Sequence, residues 1–369
     1  MVVQYKCPGC GANMMFDSLS GMLTCTSCGH SIDIQEYAEK NGGKYEQEAA
    51  NDNVDEVTGE YREVHEEASD NVFDETVVSY QCENCGAELV VSEDTTATKC
   101  SFCGSPMILA DRMQGKKAPT RVIPFRVSKE DAIRGFKKWC KKGLITPNDF
   151  MTADRIQDIV GIYVPFWLFD VTGQGEVHAD CTRVSHYSSG NYNVTATKHY
   201  KVWRKLDLDY DRIPVDASER MDDDLMDKLE PFYYEDIKEF SSMYLPGFVA
   251  ESYNYTDDDL LPRVRERVQK WMDDYARQTM KNYATVNITG REYDIQKKKT
   301  DYSLLPVWMI NYNYRNGEYV FAMNGDTGKI VGKPPISKVK AAAWFLGTGG
   351  GLFLILRLIT VFLLGGGVG

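Results

Sequence analysis

Four Cys-x2-Cys pairs, arranged as two copies of one module, restrict the possible folds of this chain more than any other feature. In each copy, fourteen residues separate the first pair from the second. A two-residue spacing lets a tight turn aim both thiolates at one ion, and two such knuckles complete a tetrahedron of Zn–S bonds of about 2.3 Å. The sequence therefore predicts two Zn²⁺ ions as cofactors. The eight predicted ligands are Cys7, Cys10, Cys25 and Cys28 in the first copy and Cys82, Cys85, Cys100 and Cys103 in the second.

The two copies are related by an offset of 75 residues. Residues 5–12 match residues 80–87, and residues 25–29 match residues 100–104, with eight identical positions that include all four cysteines. Similarity at a fixed offset is typical of a duplicated module. We therefore predict zinc ribbon 1 over residues 1–40 and zinc ribbon 2 over residues 78–112.

A glycine follows each cysteine pair, and a short apolar segment lies between the two pairs of each copy. Glycine at that position lets the backbone adopt a positive φ and approach the sulfur atoms. The four glycines are Gly11, Gly29, Gly86 and Gly104. We predict short strands over residues 14–16 and 89–91, as a zinc ribbon requires.

Charge is distributed unevenly along the chain. The formal net charge is −12, yet residues 1–110 hold 5 Lys and Arg against 20 Asp and Glu, whereas the remainder holds 37 against 34. Residues 46–75 alone contain 12 acidic residues and one basic residue, Arg62. A segment with this composition cannot bury a core, so we predict an acidic linker over residues 41–77.

Residues 113–338 have the composition and periodicity of a folded α+β domain. Residues 128–131 have the form of a capping box that opens a helix through Lys142, and residues 256–259 cap a second, longer helix. The apolar stripe predicted for this second helix consists of Leu260, Leu261, Val264, Val268, Trp271, Met272 and Tyr275.

Several turn signals in the same domain predict β-hairpins. We predict one hairpin over residues 161–181 that turns at residues 173–175, and another over residues 184–204 that turns at residues 188–191. Strands over residues 304–314 and 318–323 are predicted to join at Asn316-Gly317, and a further turn is predicted at residues 324–328. The segments 164–169 and 305–310 resemble one another and each follows a capped helix, which suggests an internal duplication of the domain.

The apolar segment at residues 342–364 contains one charged residue, Arg357. Its 23 residues could cross about 30 Å of hydrocarbon as a helix, so we predict a single transmembrane anchor over residues 341–364. Lys333, Lys338 and Lys340 precede it and no basic residue follows, which places the bulk of the chain in the cytoplasm by the positive-inside rule. The alternative is that only residues 352–364 are truly apolar, and that this 13-residue tail lies in the interface or packs on protein.

Paired cysteines can also form disulfides or thioredoxin-like redox pairs. Disulfides conflict with a cytoplasmic chain, and no helix follows the first cysteine of a pair in a βαβ setting. Because all four positions of each predicted site are protein ligands, neither site is an open catalytic zinc. The sequence also lacks a Walker loop and a dinucleotide fingerprint, and we predict that the protein is not an enzyme.

A third metal site is a weaker candidate. The side chains concerned are His178, Cys181, His186 and His199, which fall within 22 residues of one another. Their spacing fits no established ligand pattern, and a buried cysteine more often packs as a small apolar side chain. A structural role for these residues is the competing interpretation.

The overall layout resembles a family of bacterial membrane-associated proteins. The resemblance is carried by the duplicated Cys-x2-Cys-Gly knuckles, the acidic linker, the aromatic-rich body and the C-terminal apolar segment. Such proteins are described as TFIIB-type zinc ribbon-containing, and the YdjG-type proteins of Gram-positive bacteria are similar. The resemblance implies a membrane anchor that acts beside flotillin-like SPFH proteins and phage-shock-type envelope stress proteins, which the ribbons recruit. It brings no catalytic residues, and the eight cysteines carry over as zinc ligands.

Two functional hypotheses follow. In the first, the protein is a membrane-anchored adaptor or scaffold whose cytoplasmic ribbons recruit partner proteins. In the second, the ribbons bind nucleic acid or the transcription and replication machinery. Binding to phosphates needs clustered Lys and Arg, yet the ribbon knuckles contain only Lys6 and Lys99. The sequence therefore favours the adaptor and makes nucleic acid an unlikely partner.

Overall fold

A computed structural model describes residues 2–41, 77–113, 118–141, 143–150, 159–314 and 317–364. The acidic linker predicted for residues 41–77 lies almost entirely outside these ranges, as do the turn residue Asn316 and the predicted helix end at Lys142. The helices are α1 (residues 34–41), α2 (Lys129–Lys141), α3 (Asp223–Asp227), α4 (Asp257–Thr279) and α5 (Lys338–Leu364). The strands of the N-terminal region are β1 (Val2–Val3), β2 (Met14–Asp17), β3 (Met22–Cys25), β4 (Ser31–Ile32), β5 (Val77–Gln81), β6 (Glu88–Ser92), β7 (Thr95–Lys99) and β8 (Pro106–Leu109). The strands of the body are β9 (Arg121–Val122), β10 (Val160–Ser189), β11 (Tyr192–Asp216), β12 (Lys238–Glu239), β13 (Val249–Glu251), β14 (Thr285–Tyr314), β15 (Gly317–Asn324) and β16 (Ile330–Gly332).

One mixed sheet of eleven strands organises the body. Its main path runs β1-β8-β7-β13-β10-β14-β15-β16, with β11 paired to β10, β9 to β14 and β12 to β9. The long strands β10 and β14 form an antiparallel ladder at its centre, from Val160↔Met309 to Thr182↔Thr285. The described part of residues 113–338 is therefore a mixed α and β unit, as predicted.

The prediction of a hairpin that turns at residues 173–175 is wrong. β10 continues through this point, and the chain reverses only between Ser189 and Tyr192, where the second predicted turn is confirmed. The glycines have a packing role instead. A Cβ on Gly173 would lie 2.7 Å from Sδ of Met272 in α4, and one on Gly175 would lie 2.2 Å from a backbone oxygen of β14. Glycine inside a strand often marks such a close approach rather than a turn.

The two helices predicted from their capping signals, α2 and α4, begin where the sequence predicts. Thr256 caps α4 through a capping box with Asp259, and the Ser128 hydroxyl accepts a hydrogen bond from the Asp131 N–H at the start of α2. The apolar stripe of α4 packs on β10, β11 and β14, but its last predicted member, Tyr275, is 45% exposed. The capping signals are local, which explains why they could be predicted from sequence.

The two similar segments, residues 164–169 and 305–310, lie side by side in β10 and β14. Val164 pairs with Leu305, and the register is symmetric about this pair, because Ile162 pairs with Val307. Each long strand also receives a short parallel strand, β13 on β10 and β9 on β14. The internal duplication itself stays a prediction.

Both N-terminal modules pack directly against the body. In the first module, the Phe16 N–H donates to the Pro246 carbonyl at 3.0 Å, and the Phe16 ring packs edge-on against Tyr244. In the second module, β7 pairs with β13, so that Ala97 lies opposite Ala250. The described parts of the two modules are therefore joined to the large sheet rather than separated from it.

The C-terminal apolar segment forms one continuous helix, α5. Residues 338–360 make a candidate membrane span with a mean hydropathy of 1.6, and the apolar window is not buried against the described part of the protein. The glycines between residues 347 and 351 do not interrupt the helix. Lys340 at its start donates to the Thr146 carbonyl at 2.7 Å and to the Asn148 side chain. The alternative of a tail packed on the described part of the protein is therefore not supported.

Candidate metal centres

All four cysteine knuckles share one backbone geometry. In the first, the Cys7 N–H donates to the Ala12 carbonyl and the Gly11 N–H donates to the Cys7 carbonyl. The same two bonds recur at the pairs that begin with Cys25, Cys82 and Cys100. The glycine that closes each knuckle has a φ between 72° and 74°, as predicted from sequence. A side chain would be strained in this conformation, so the glycines are required by the turn itself.

The knuckles bring the predicted ligands together as two groups of four sulfur atoms. Within each group, all the Sγ atoms lie within 4.8 Å of one another. Four of the sulfur–sulfur separations are 3.6 Å between Cys7 and Cys28, 3.5 Å between Cys10 and Cys25, 3.7 Å between Cys82 and Cys103, and 3.7 Å between Cys85 and Cys100. A tetrahedron with metal–sulfur bonds of about 2.3 Å has edges of about 3.8 Å. Both groups could therefore hold a metal ion.

These distances distinguish a metal site from a disulfide. A disulfide requires an S–S separation of about 2.05 Å, which is far shorter than any of the separations above. All ten cysteines of the chain, every one of them in the described ranges, are free thiols. The strands predicted between the knuckles are also present, as β2 and β6.

Each group presents two sulfur atoms to the interior and two to solvent. The first cysteine of every pair is buried and the second is exposed. The buried Cys7 and Cys25 belong to the apolar cluster that includes Phe16 and Tyr244, whereas Cys82 and Cys100 belong to a separate cluster with Met107. An ion bound by either group would therefore connect the exposed cysteines of the knuckles to the apolar cluster that contains the buried cysteines.

The thiols of the first group do not ionise alike. A hydrogen bond from the Cys28 N–H is the largest of the effects that lower the pKa of Cys25 to about 6. The His30 N–H favours the Cys28 thiolate, but contacts with the neighbouring thiols outweigh it and raise the pKa of Cys28 to about 12. Four sulfur atoms this close cannot all carry negative charge on their own, and a bound divalent cation would remove that conflict.

The second group repeats this asymmetry with different partners. Hydrogen bonding with the Ser105 hydroxyl, followed by the Ser105 N–H, lowers the pKa of Cys103 to about 5. The Ala87 N–H favours the Cys85 thiolate, but burial and the thiols around it raise the pKa of Cys85 to about 12. Because ligand thiols must deprotonate before they coordinate, metal binding at either group would release protons.

The third candidate site does not form. Cys181 is buried, and its sulfur lies 3.9 Å from Sδ of Met280, whereas His178, His186 and His199 are exposed. In the β10–β11 ladder, His186 lies opposite Thr195 and His199 lies opposite Thr182, four residues apart along the strands. No group of metal-ligating side chains other than the two cysteine clusters was found in the described residues. These observations fit the competing interpretation, in which these residues have a structural role and do not bind a metal.

Sequence reasoning missed the contacts that attach the first module to the body. The Tyr5 hydroxyl lies 2.5 Å from the Ser242 hydroxyl, and Phe16 contacts both Tyr244 and Phe248. Tyr5 aligns with Tyr80 of the second copy, whose hydroxyl instead donates to Asp111 at 2.7 Å. The presence of a tyrosine at this position in both copies was a sequence signal that its side chain makes a contact. The partner could not be predicted, because it lies more than 200 residues away in one copy and 31 residues away in the other.

Comparison with known proteins gives one informative match. The chain is 48% identical to the uncharacterized protein YdjG of Bacillus subtilis (strain 168) over 367 residues, which cover 99% of this chain and 100% of YdjG. No family model matches the chain, and no solved structure matches it.

Proposed function

The chain belongs to the family of Bacillus subtilis YdjG, and from this premise we propose that it is a membrane-anchored adaptor whose zinc ribbons recruit partner proteins. The proposed partners are flotillin-like SPFH proteins or phage-shock-type envelope stress proteins. In this proposal the protein has no catalytic activity of its own. The body holds the ribbons at a fixed position, and α5 holds the body at the membrane.

The observation that carries this proposal is the way both four-sulfur groups are built into the fold. Each group offers four protein sulfur atoms within 4.8 Å of one another, which would fill the coordination of a tetrahedral ion and leave no open position for a substrate. β7 of the second module pairs with β13 of the body, and β1 pairs with β8. Ions in such sites stabilise a surface and do not activate water, as expected of a binding module.

We propose Zn²⁺ as the ion at both sites. Four thiolates in a tetrahedron suit Zn²⁺, which has no geometric preference of its own and favours sulfur ligands in structural sites. The metal ligands would be the eight cysteines of the two groups. Because thiol ligands must lose their protons before they coordinate the ion, binding would be coupled to proton release.

We also propose that α5 crosses the membrane with the body on the cytoplasmic side. At about 1.5 Å per residue, the 27 residues of the helix are about 40 Å long, which exceeds the thickness of the hydrocarbon core. Lys333, Lys338 and Lys340 lie before the apolar part. Arg357 lies seven residues before the helix end, close enough to reach the far interface with its guanidinium group.

Truncation after Ser337 tests the anchor and the adaptor role together. The full-length protein should resist extraction by high salt and by carbonate, because apolar transfer rather than surface charge holds an inserted helix. The truncated protein should be soluble, keep two zinc ions and still bind its partners, which should leave the membrane with it. Co-purification from detergent-solubilised membranes followed by mass spectrometry identifies those partners.

Two outcomes would overturn the proposal. Full-length protein that washes off with salt alone would exclude a spanning helix. Purified protein that retains no protein partner, but binds duplex DNA at submicromolar concentration with a steep salt dependence, would favour the nucleic-acid hypothesis instead. Lys6 of the first knuckle, one of the few cations available, is already hydrogen-bonded to Gln4 and Asn13, so we expect no such binding.

A further inference from the structure

β11 lies at an edge of the large sheet. Among the described strands it pairs only with β10, so no described strand satisfies the backbone N–H and C=O groups on its other side. Proteins usually keep such edges short or cover them, because an open edge can pair with a strand of another chain. β11 has 25 residues, several times the length of an average strand, and is therefore a candidate for such pairing.

The turn of the β10–β11 hairpin determines which residues of β11 face this edge. A two-residue turn connects Ser189 and Tyr192, which form a hydrogen-bonded pair in a hairpin of this kind. Hydrogen-bonded pairs then recur at every second residue, and the register is regular as far as Tyr210. The odd-numbered residues therefore point their backbone groups away from β10. The Trp203 carbonyl agrees with this assignment, because it accepts a hydrogen bond from the Arg204 guanidinium at 2.9 Å.

Residues 201–211 form the part of this strand that we call the open edge. After it, Arg212 has a φ of 56° in a bulge of the ladder, and the Pro214 carbonyl is bonded to a side chain of α4. Before it, the pairing of β14 with β10 ends at Thr182, which lies opposite His199 of β11. The open edge is therefore the segment of β11 that is backed by both β10 and β14 and not blocked by the bulge.

The exposed side chains of the open edge carry opposite charges in its two halves. The odd-numbered residues lie on the face of the sheet away from α4, and all of them are exposed. In chain order they are Lys201, Trp203, Lys205, Asp207, Asp209 and Asp211. Lys298 of β14 lies among the three aspartates and forms an ion pair with Asp209 at 2.6 Å. This leaves two lysines and two aspartates of the open edge without an ion pair among the described residues.

Antiparallel pairing of the open edge with the same segment of a second copy would match all four of these charges. In the register centred on Leu206, Lys205 of each copy lies opposite Asp207 of the other, and Lys201 lies opposite Asp211. Opposite charges that face each other across two strands are stabilising, whereas like charges are destabilising. Moving the centre by one residue would place either Lys205 or Asp207 opposite itself. The charge pattern therefore selects one register as well as one partner.

The α4 side of the open edge is partly apolar and also accessible. A cavity of about 340 Å³ lies between β11 and α4, and its lining includes Leu208, Asp274 and Tyr275. Tyr275 is 45% exposed although it continues the apolar stripe of α4. In the register centred on Leu206, Arg204 of the second copy would lie opposite Leu208, on the side of Asp274. A second copy would therefore reduce the exposure of the Tyr275 ring and bring a cation towards a carboxylate on this face as well.

We propose that the protein forms a two-fold symmetric dimer in which the open edges of two copies join their large sheets. The interface is isologous, because the same segment of each copy supplies both halves of every charge pair. The symmetry axis is perpendicular to the sheet and therefore keeps the two α5 helices on the same side of it, as two anchors in one membrane require. The inference goes beyond the adaptor function and does not depend on it.

Two opposite charge reversals test this interface. In a dimer, Lys205→Glu would place like charges opposite each other twice, and so would Asp207→Lys, so each variant alone should raise the dimer Kd at least ~10-fold. An equimolar mixture of the two variants should form heterodimers with a Kd within ~3-fold of wild type, because each chain then offers the charges that the other needs. The double variant Lys205→Glu/Asp207→Lys should dimerise in the same way. Analytical ultracentrifugation of the zinc-loaded full-length protein in density-matched detergent measures these values.

The matched control is Lys138→Glu, which reverses an exposed lysine of α2 and should alter the dimer Kd by less than ~2-fold. Zinc content measured on every variant shows whether the ribbons are intact. Hydrogen exchange gives a second readout, because concentrating the wild type should protect the amides of Lys205 and Asp207, which point to the open edge, more than that of Leu206, which bonds to β10.

Three results would overturn the proposal. Wild-type protein that is monomeric at ~100 µM would exclude a dimer of useful affinity. Single variants that dimerise as tightly as wild type would exclude this edge as the interface. Single variants that lose dimerisation and do not recover it when mixed would show that the two charges do not face each other across the symmetry axis.

Discussion

The two ribbons have the same ligand spacing but pair their strands differently. In ribbon 1, β2, β3 and β4 form a separate three-stranded sheet. In ribbon 2, β7 occupies the position of β3, but its two neighbours are β8 and the body strand β13. β6, the counterpart of β2, pairs with β5 instead. One copy of the module is thus closed on itself, and the other is opened and merged into the body.

The residues before the first knuckle show the same contrast. In ribbon 2 they form a full ladder with β6, from Val77↔Ser92 to Gln81↔Glu88. In ribbon 1 only the corresponding bridge, Lys6↔Asn13, remains. Val2 and Val3 leave their own module and pair with β8 of ribbon 2. The N-terminal strand therefore ties ribbon 1 to its own duplicate.

This comparison shows that the cysteine knuckles fix the positions of the sulfur atoms but do not determine which strands the strands of the ribbon pair with. All four residues of β8, from Pro106 to Leu109, are buried, whereas β4 has one exposed and one buried residue. A strand that is apolar on both faces must be covered on both sides, while a half-exposed strand can lie at an edge. β8 of ribbon 2 is such a strand, and its neighbours in the large sheet are β1 and β7.

The largest expected effect comes from removing one equivalent ligand in each ribbon. Cys25→Ser and Cys100→Ser should each reduce zinc from two ions per chain to one, because each site needs all four sulfur atoms. Cys100→Ser should also destabilise the body, since β7 links β8 to β13. Cys25→Ser should lower the free energy of unfolding of the body by less than Cys100→Ser does, because β3 pairs only within the separate sheet of ribbon 1.

Tryptophan fluorescence separates the two effects. All six tryptophans lie after residue 113, so their emission reports on the body and the anchor rather than on either ribbon. Zinc content measured by mass spectrometry serves as the control that each substitution removes one ion. Equal shifts of the tryptophan-detected transition in the two variants would mean that the merged strand does not couple ribbon 2 to the body.

The metal groups could be predicted from sequence because their signals are local. The two-residue spacing and the glycine after each pair describe one turn, and the turn alone places both sulfur atoms. The caps of α2 and α4 were predictable for the same reason. The pairing of β7 with β13 was not predictable, because it joins residues about 150 positions apart through short strands with little pattern of their own. The turn predicted at Gly173 and Gly175 was wrong because a glycine required for close packing looks the same in sequence as a glycine required for a turn.

A smaller effect should come from the ring that attaches ribbon 1 to the body. Phe16→Ala removes a buried ring that packs against Tyr244 and Phe248, and the loss should cost about 3 kcal/mol of folding free energy. The equivalent residue in ribbon 2 is Val91, which is partly buried. Val91→Ala should cost about 1 kcal/mol or less, because it deletes less apolar surface.

Chemical denaturation of the two variants, with both zinc ions bound, measures these two losses of folding free energy. Zinc content should stay at two ions in both variants, since neither side chain belongs to a knuckle. A loss of zinc in Phe16→Ala would show that docking, rather than the knuckles alone, holds the first site together. Equal costs for the two substitutions would contradict the expectation that ribbon 1 depends more on this side chain than ribbon 2 depends on Val91.

The smallest expected effect concerns the two aligned tyrosines, which now have different partners. Tyr5 bonds to Ser242 of the body, so Tyr5→Phe should cost about 1 kcal/mol, the usual net value of one hydrogen bond. Tyr80 bonds to Asp111 and receives the Arg112 Nε–H at 2.9 Å, both close to its own module, so Tyr80→Phe should loosen ribbon 2 without affecting ribbon 1. Hydrogen exchange resolves the two cases, because local opening is reported amide by amide. Tyr5→Phe should speed exchange at the Phe16 amide, which bonds to the body, and Tyr80→Phe should speed exchange along β5. If both substitutions accelerate the same amides, the two ribbons open as one unit, and the contrast drawn between a closed and a merged copy would not extend to their dynamics.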